Sequence, residues 1–161
     1  MTEKEGYNAD FLNQKNRTDR IAFERGEFND WKSSISCTGD TSSDKMWFIT
    51  MDGPKDSPYF GGKFKISIEF KEEYPTEPPE FKFLTDICHI NINGSTICMD
   101  TLKKDEKYKS SYTIVYLLSQ IFILLSIPNE DNAYPTYRDL YRNDYSGYLA
   151  KAREMTREHA K

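Results

Sequence analysis

The eight residues Lys63–Phe70 alternate without a break, with Phe64, Ile66, Ile68 and Phe70 on one side and Lys63, Lys65, Ser67 and Glu69 on the other. Successive side chains face opposite ways only in a strand, so this segment belongs to a sheet with one face on a core and one on solvent. Its flanks limit how neighbours join it. The loop Ser57-Pro-Tyr-Phe-Gly-Gly62 precedes it, and a proline-rich connector, Tyr74-Pro-Thr-Glu-Pro-Pro79, follows; such a connector is stiff and admits a cis peptide bond. Met46–Met51 and Phe81–Leu84 also read as strands, the former ended by Asp52-Gly53-Pro54. Short strands joined by tight loops, with no helical segment between them, predict an antiparallel meander and exclude βαβ alternation.

After residue 112 the period changes. Ile114, Leu117, Leu118, Ile121, Leu124 and Leu125 recur at helical spacing behind a capping Thr113, and few polar residues interrupt them. This predicts a central, nearly buried helix, stopped at Ile127-Pro128-Asn129. Two more helices are expected over residues 134–143 and 144–159, the last charged on its outer face. At the other end, Thr18–Trp31 reads as a helix capped by Thr18, with Ile21, Phe28 and Trp31 on one face and Gly26 weakening it. Thr38 to Ser43 reads as a turn cluster. Residues 1–15 are polar and aperiodic and are expected to be a flexible extension, leaving 16–161 as one α+β domain.

Composition narrows the function. A net charge of −4 over 161 residues, with no long Lys/Arg block, argues against a nucleic-acid partner. Three cysteines, Cys37, Cys88 and Cys98, are an odd number without disulfide-scaffold spacing and point to a reducing compartment, cytoplasmic or nuclear. With two histidines, at 89 and 159, and no Cys-x-x-Cys pair, neither a metal site nor a metal cofactor is expected. No run of 18 apolar residues exists to form a membrane segment, and the N-terminus is too polar for a signal peptide; a targeting segment trimmed from the chain would leave no trace.

The chemistry concentrates in residues 89–100, His-Ile-Asn-Ile-Asn-Gly-Ser-Thr-Ile-Cys-Met-Asp. Asn93-Gly94-Ser95 is a reversal signal, because glycine accepts positive φ, and a chain folding back there brings Asn91 toward Cys98. A thiol nucleophile beside an amide donor suits acyl transfer: the thiolate attacks a carbonyl and the donor stabilises the oxyanion. The same residues also fit a blander reading, in which Cys98 is a small buried hydrophobe between Ile97 and Met99, and Asn-Gly-Ser is only a turn. His89 is better suited to a structural hydrogen bond than to a general base.

Five segments in order resolve the choice. Gly53-Pro-Lys-Asp-Ser-Pro-Tyr-Phe-Gly-Gly62, Tyr74-Pro-Thr-Glu-Pro-Pro79, His89-Ile-Asn91, Gly94-Ser-Thr-Ile-Cys-Met-Asp100 and Pro128-Asn-Glu-Asp-Asn132 together resemble the motifs of the ubiquitin-conjugating enzymes, over residues 18–160. The resemblance implies an N-terminal helix, a four-stranded antiparallel meander, an active-site loop, and then central and C-terminal helices. It implies a carrier that accepts ubiquitin from an activating enzyme as a thioester, without cofactor, and passes it to a substrate-protein lysine, usually with a ligase. Cys98 then matches the carrier thiol, and Asn91 the amide that stabilises the oxyanion or orders the adjacent loop. Asn132 matches the gate beside the incoming lysine. Asp100 and Asp131 are expected to be ordinary loop carboxylates.

Departures from the family pattern are specific. Ile90 replaces the proline before Asn91. Thr76, Lys109-Ser110-Ser111 and Tyr108 replace residues of the two ligase-contact loops, an aromatic anchor among them, and the Leu102–Tyr108 loop has a length resembling the SUMO-conjugating enzyme. The acidic net charge does not resemble that enzyme, so ubiquitin is the expected modifier, with SUMO or another ubiquitin-like protein as the alternative. A non-catalytic binding variant remains the alternative from another class; its hallmark is loss of the cysteine, which is present here.

Overall fold

The computed structural model describes residues 9–161. Four strands form one antiparallel sheet in sequence order: β1 (Cys37–Asp40), β2 (Met46–Asp52), β3 (Lys63–Glu69) and β4 (Glu80–Phe83). In β3 the apolar row is buried as expected, Phe64, Ile66 and Ile68 being fully buried while Lys63 and Lys65 are exposed, but Ser67, expected on the solvent side, is buried as well. In β2, Trp47, Ile49 and Met51 face the same side as that apolar row. The register pairs Trp47 with Ile68, Ile49 with Ile66 and Met51 with Phe64, so the buried rows of the two strands lie opposite one another.

The helices close the core. Helix α2 (Arg17–Trp31) buries Ile21 and Phe28, and α3 (Ile114–Ser126) buries seven of its residues, Ile114 to Leu125. Thr113 caps α3 by accepting from the Tyr116 amide. Helices α4 (Pro135–Asn143) and α5 (Tyr145–His159) follow, close to the expected bounds. The connector after β3 holds a cis peptide bond between Tyr74 and Pro75. Gly53 and Gly62 sit where the backbone approaches itself: a Cβ on Gly53 would collide with the Tyr59 carbonyl, and one on Gly62 would meet Thr156 at 2.6 Å.

Three local expectations need correction. Asn16, not Thr18, caps α2, its side chain accepting from the Asp19 amide, and the helix begins a residue before Thr18. The turn cluster placed at 38–43 is strand as far as Asp40, because β1 pairs with β2 from Cys37–Met51 to Asp40–Phe48. The turn itself comes after, where Asp40 accepts from the amide and hydroxyl of Ser42. Within the stretch read as an extension, residues 9–13 form a short helix, α1 (Ala9–Asn13), and Leu12 is fully buried. Residues 1–8 of that stretch lie outside the described residues. Among the described residues no helix is long and apolar enough to cross a membrane.

Candidate active site

Residues 91–98 fold into the reversal that the sequence suggested. Two short strands, β5 (Ile92–Asn93) and β6 (Thr96–Ile97), pair Asn93 with Thr96 and Ile92 with Ile97 around Gly94 and Ser95. Gly94 has φ of 60°, the left-handed conformation that a two-residue hairpin loop demands of its first central residue. Continuing the register puts Asn91 opposite Cys98, and the Cys98 amide donates to the Asn91 carbonyl at 2.8 Å. The hairpin is fastened to the main sheet by the Phe83 amide, which donates to the Ser95 carbonyl at 2.9 Å. Cys98 is thereby left half-exposed just past β6, while Cys37 and Cys88 are buried. Burial pushes both of those thiols up to about 12, with Asp52 adding to the effect at Cys37.

The Asn91 side chain is fully buried and makes three hydrogen bonds to the loop after α3. Its Nδ2 donates to the carbonyls of Asn129, at 2.7 Å, and Asn132, at 3.1 Å, and its Oδ1 accepts from the Asn129 amide at 2.8 Å. Asn132 itself is exposed; its backbone, not its side chain, makes the link to Asn91. His89 underpins the same segment. The Asn91 amide donates to Nδ1 at 2.9 Å, so Nδ1 carries no proton and Nε2–H donates to the Leu124 carbonyl at 2.8 Å. Both ring nitrogens are committed, and burial depresses the imidazole to about 4. A neutral ring fixed at both ends holds the hairpin on α3 and has no role as a general base. Tyr59, from the Pro-Tyr-Phe-Gly-Gly loop, packs its ring 5.7 Å from the His89 ring and donates to the Cys88 carbonyl at 2.6 Å.

Two residues that the sequence reading passed over lie near Cys98. Lys103, expected to be only part of a solvated loop, places its Nζ 3.8 Å from Cys98 Sγ. Tyr134 lies in the neighbourhood of Cys98, and its phenol is raised, first by burial and then by that thiol. No spacing rule would have found Tyr134, because it lies 36 positions beyond the cysteine, at the entry to α4. Asp100 pairs with Lys107 at 3.3 Å, as befits a loop carboxylate.

The two loops expected to meet a ligase converge on a buried pair in α2. The Glu24 Oε2 accepts from the Tyr74 hydroxyl at 3.0 Å and from the Ile114 amide at 3.0 Å, while Arg20 donates to the Tyr112 carbonyl at 2.9 Å. Arg20 and Glu24 are both fully buried, 3.4 Å apart. Burial drives the Glu24 carboxyl up to about 7, outweighing Arg20, Ile114 and Tyr74, which lower it. Tyr108 joins the loops directly by donating to the Pro75 carbonyl at 2.6 Å, and Lys104 pairs with Glu77. Thr76 remains exposed, Ser111 half-exposed, and Ser110 donates to the Asn13 side chain of α1 at 2.8 Å.

A four-stranded meander flanked by helices thus carries an accessible cysteine at the end of a hairpin and a buried asparagine that binds the loop beyond α3. The family model described as ubiquitin-conjugating enzyme matches residues 21–156, and this chain belongs to that family. It is also 35% identical over 148 residues to the probable ubiquitin-conjugating enzyme E2 31 of Arabidopsis thaliana, covering 91% of this chain and 95% of that protein. The protein is accordingly a transferase of the ubiquitination pathway. Thioester chemistry and work alongside an activating enzyme and a ligase are general features of its family.

Proposed function

We propose that Cys98 is the carrier thiol, taking the C-terminal carboxyl of ubiquitin from the activating enzyme and yielding it to a lysine of a substrate protein. The observation that carries this reading is the hairpin register, which leaves Cys98 half-exposed opposite Asn91 while the other two thiols are buried and hard to ionise. Thiolate, not thiol, is the nucleophile, so burial disqualifies Cys37 and Cys88. Asn91 serves the site by ordering the loop 129–132, since its side-chain nitrogen and oxygen both bond there. That loop presents the exposed Asn132 side chain as the gate for an incoming lysine. A free lysine, with a pKa of about 10.4, is mostly protonated at neutral pH, and polar, partly desolvated surroundings favour its reactive neutral form.

Thr76, Ser110 and Ser111 form the ligase-contact loops and lack a large apolar anchor, so a dedicated partner or direct substrate contact takes the place of generic RING-type ligases. The cytoplasm or nucleus is the compartment, where free thiols persist. The test is charging: incubate the chain with activating enzymes and each candidate modifier, and look for a mass shift that reductant removes. A shift with ubiquitin is expected; a shift with another modifier alone reassigns the substrate, and none with any modifier overturns the reading.

A further inference from the structure

A thioester is an activated acyl group, and an amine held against its carbonyl is an acceptor that competes with substrate. The loop after Cys98 carries three lysines, Lys103, Lys104 and Lys107. Two of them are directed elsewhere. Lys104 pairs with Glu77 of the proline-rich connector, and Lys107 pairs with Asp100 at 3.3 Å. Lys103 turns to the sulfur, its Nζ 3.8 Å from Cys98 Sγ.

The backbone builds this approach into the loop. A 3₁₀ turn, Asp100–Leu102, follows the cysteine, and the Leu102 and Lys103 amides donate to the Met99 and Asp100 carbonyls, both at 3.1 Å. The turn folds the chain back, which brings Lys103 over Cys98. The Lys103 carbonyl in turn accepts from the Glu106 and Tyr108 amides at 3.1 and 3.2 Å, and the Tyr108 hydroxyl fastens the far end of the loop to the Pro75 carbonyl. With its main chain pinned on both sides, Lys103 has only its side chain to move. The Glu106 carboxylate lies 3.8 Å from Nζ, but both side chains are half-exposed, and such a surface ion pair is too weak to hold the amine away.

In the loaded enzyme the carbonyl carbon is one bond from Sγ. Reacting atoms must come within about 3–3.5 Å, and a flexible four-carbon stem whose tip is already 3.8 Å from the sulfur covers the remainder by changing rotamer. We infer that Lys103 is a self-modification site: when no substrate lysine is at hand, the acyl group carried on Cys98 passes to the enzyme's own Lys103. The neutral Nζ attacks the carbonyl carbon and the C–N bond forms. The C–S bond then breaks, its electron pair leaving on Sγ as thiolate, and the amine proton goes to solvent. The product is an isopeptide, more stable than the thioester, with the modifier tied beside the freed thiol. Each such event takes one enzyme molecule out of the cycle, so Lys103 limits how long a loaded enzyme persists without substrate.

This site depends on Cys98 being the carrier, and the experiment separates the two. Wild-type chain and Lys103→Arg are loaded, freed of activating enzyme and ATP, and left at about pH 8 with no acceptor added. The conjugate that survives reductant is counted per loaded molecule, so that any change in charging drops out, and is located by peptide mass spectrometry. Arginine keeps the positive charge and stays protonated, so it offers no nucleophile. The wild type should acquire the modifier on Lys103, with a rate constant unchanged by roughly ten-fold dilution, because the transfer is within one molecule. Lys103→Arg should form less of the conjugate by roughly ten-fold or more. A conjugate on other lysines, a rate that falls with dilution, an equal yield from Lys103→Arg, or loss of the thioester by hydrolysis alone would each overturn the assignment and leave the carrier reading standing. The wild-type map and dilution series need no variant, so they decide the matter even if Lys103→Arg loads poorly. A wild-type chain that never forms a reducible conjugate refutes the carrier reading, and the self-modification site falls with it.

Discussion

Replacing Asn91 by alanine tests whether this residue builds the site or performs the chemistry. The substitution removes three hydrogen bonds, of 2.7, 3.1 and 2.8 Å, between the hairpin and the loop after α3. At about 1 kcal/mol net for each, the loss is about 3 kcal/mol. Asn129 and Asn132 are exposed, so water can satisfy their backbone groups, and the expected loss is about 2–3 kcal/mol rather than more. For a chain of this size that lowers the melting temperature by roughly 4–12 °C. Discharge to free lysine should slow, but by less than the 10²–10³-fold or so that accompanies loss of an oxyanion donor. Asn91→Asp is more revealing. It keeps the acceptor for the Asn129 amide but sets a carboxylate oxygen against two carbonyls, so it should be less stable than Asn91→Ala at neutral pH. Thermal melts beside single-turnover discharge are the assay. An Asn91→Ala protein that melts like wild type and discharges about 10³-fold more slowly would refute the loop-ordering argument.

Other outcomes follow from the same geometry. Glu24 titrates higher folded, at about 7, than unfolded, so the folded state holds the extra proton and stability falls as pH rises from about 4.5 through 7. Relative to Glu24→Gln, wild type should lose roughly 3 kcal/mol across that window in denaturant titrations, and a flat difference would contradict it. In the native protein near pH 7.5, iodoacetamide should modify Cys98 rapidly and leave Cys37 and Cys88 unmodified; equal labelling of all three by mass spectrometry would undo the burial argument. Thr76→Phe with Ser110→Pro should supply the missing anchor and raise affinity for a generic RING domain by roughly ten-fold or more in a calorimetric titration. Tight binding by the wild type, or no gain in the variant, would contradict that.

What the sequence made legible was whatever depends on local period or local turn chemistry. The β3 alternation, the apolar face of α3 behind Thr113, and the reversal at Gly94 each sit within a dozen residues and survive folding intact. Strand β1 was hidden because Gly39 and Asp40 carry turn chemistry, and only pairing with Ile49 and Phe48 makes them strand. There the close approach itself excludes a side chain: a Cβ on Gly39 would meet the Phe48 carbonyl at 2.8 Å. Arg20 and Glu24, four apart on α2, have the spacing of a solvated surface pair; Tyr74 and Ile114, arriving from 50 and 90 residues away, bury them. In the site, Cys98 and Asn91 were visible together because one hairpin holds both. Their connection to Asn129, Asn132 and Tyr134 spans a helix and most of a loop, a distance that no residue pattern encodes.

The most direct test of the account identifies the residue that carries the modifier. Wild type, Cys98→Ala, Cys98→Ser and Cys88→Ala are each incubated with activating enzyme, ATP and ubiquitin, then resolved with and without reductant. The account predicts a reducible conjugate for wild type and Cys88→Ala and none for Cys98→Ala. It predicts a conjugate resistant to reductant for Cys98→Ser, because an alkoxide leaves less readily than a thiolate. A reducible conjugate that persists in Cys98→Ala and vanishes in Cys88→Ala would contradict it.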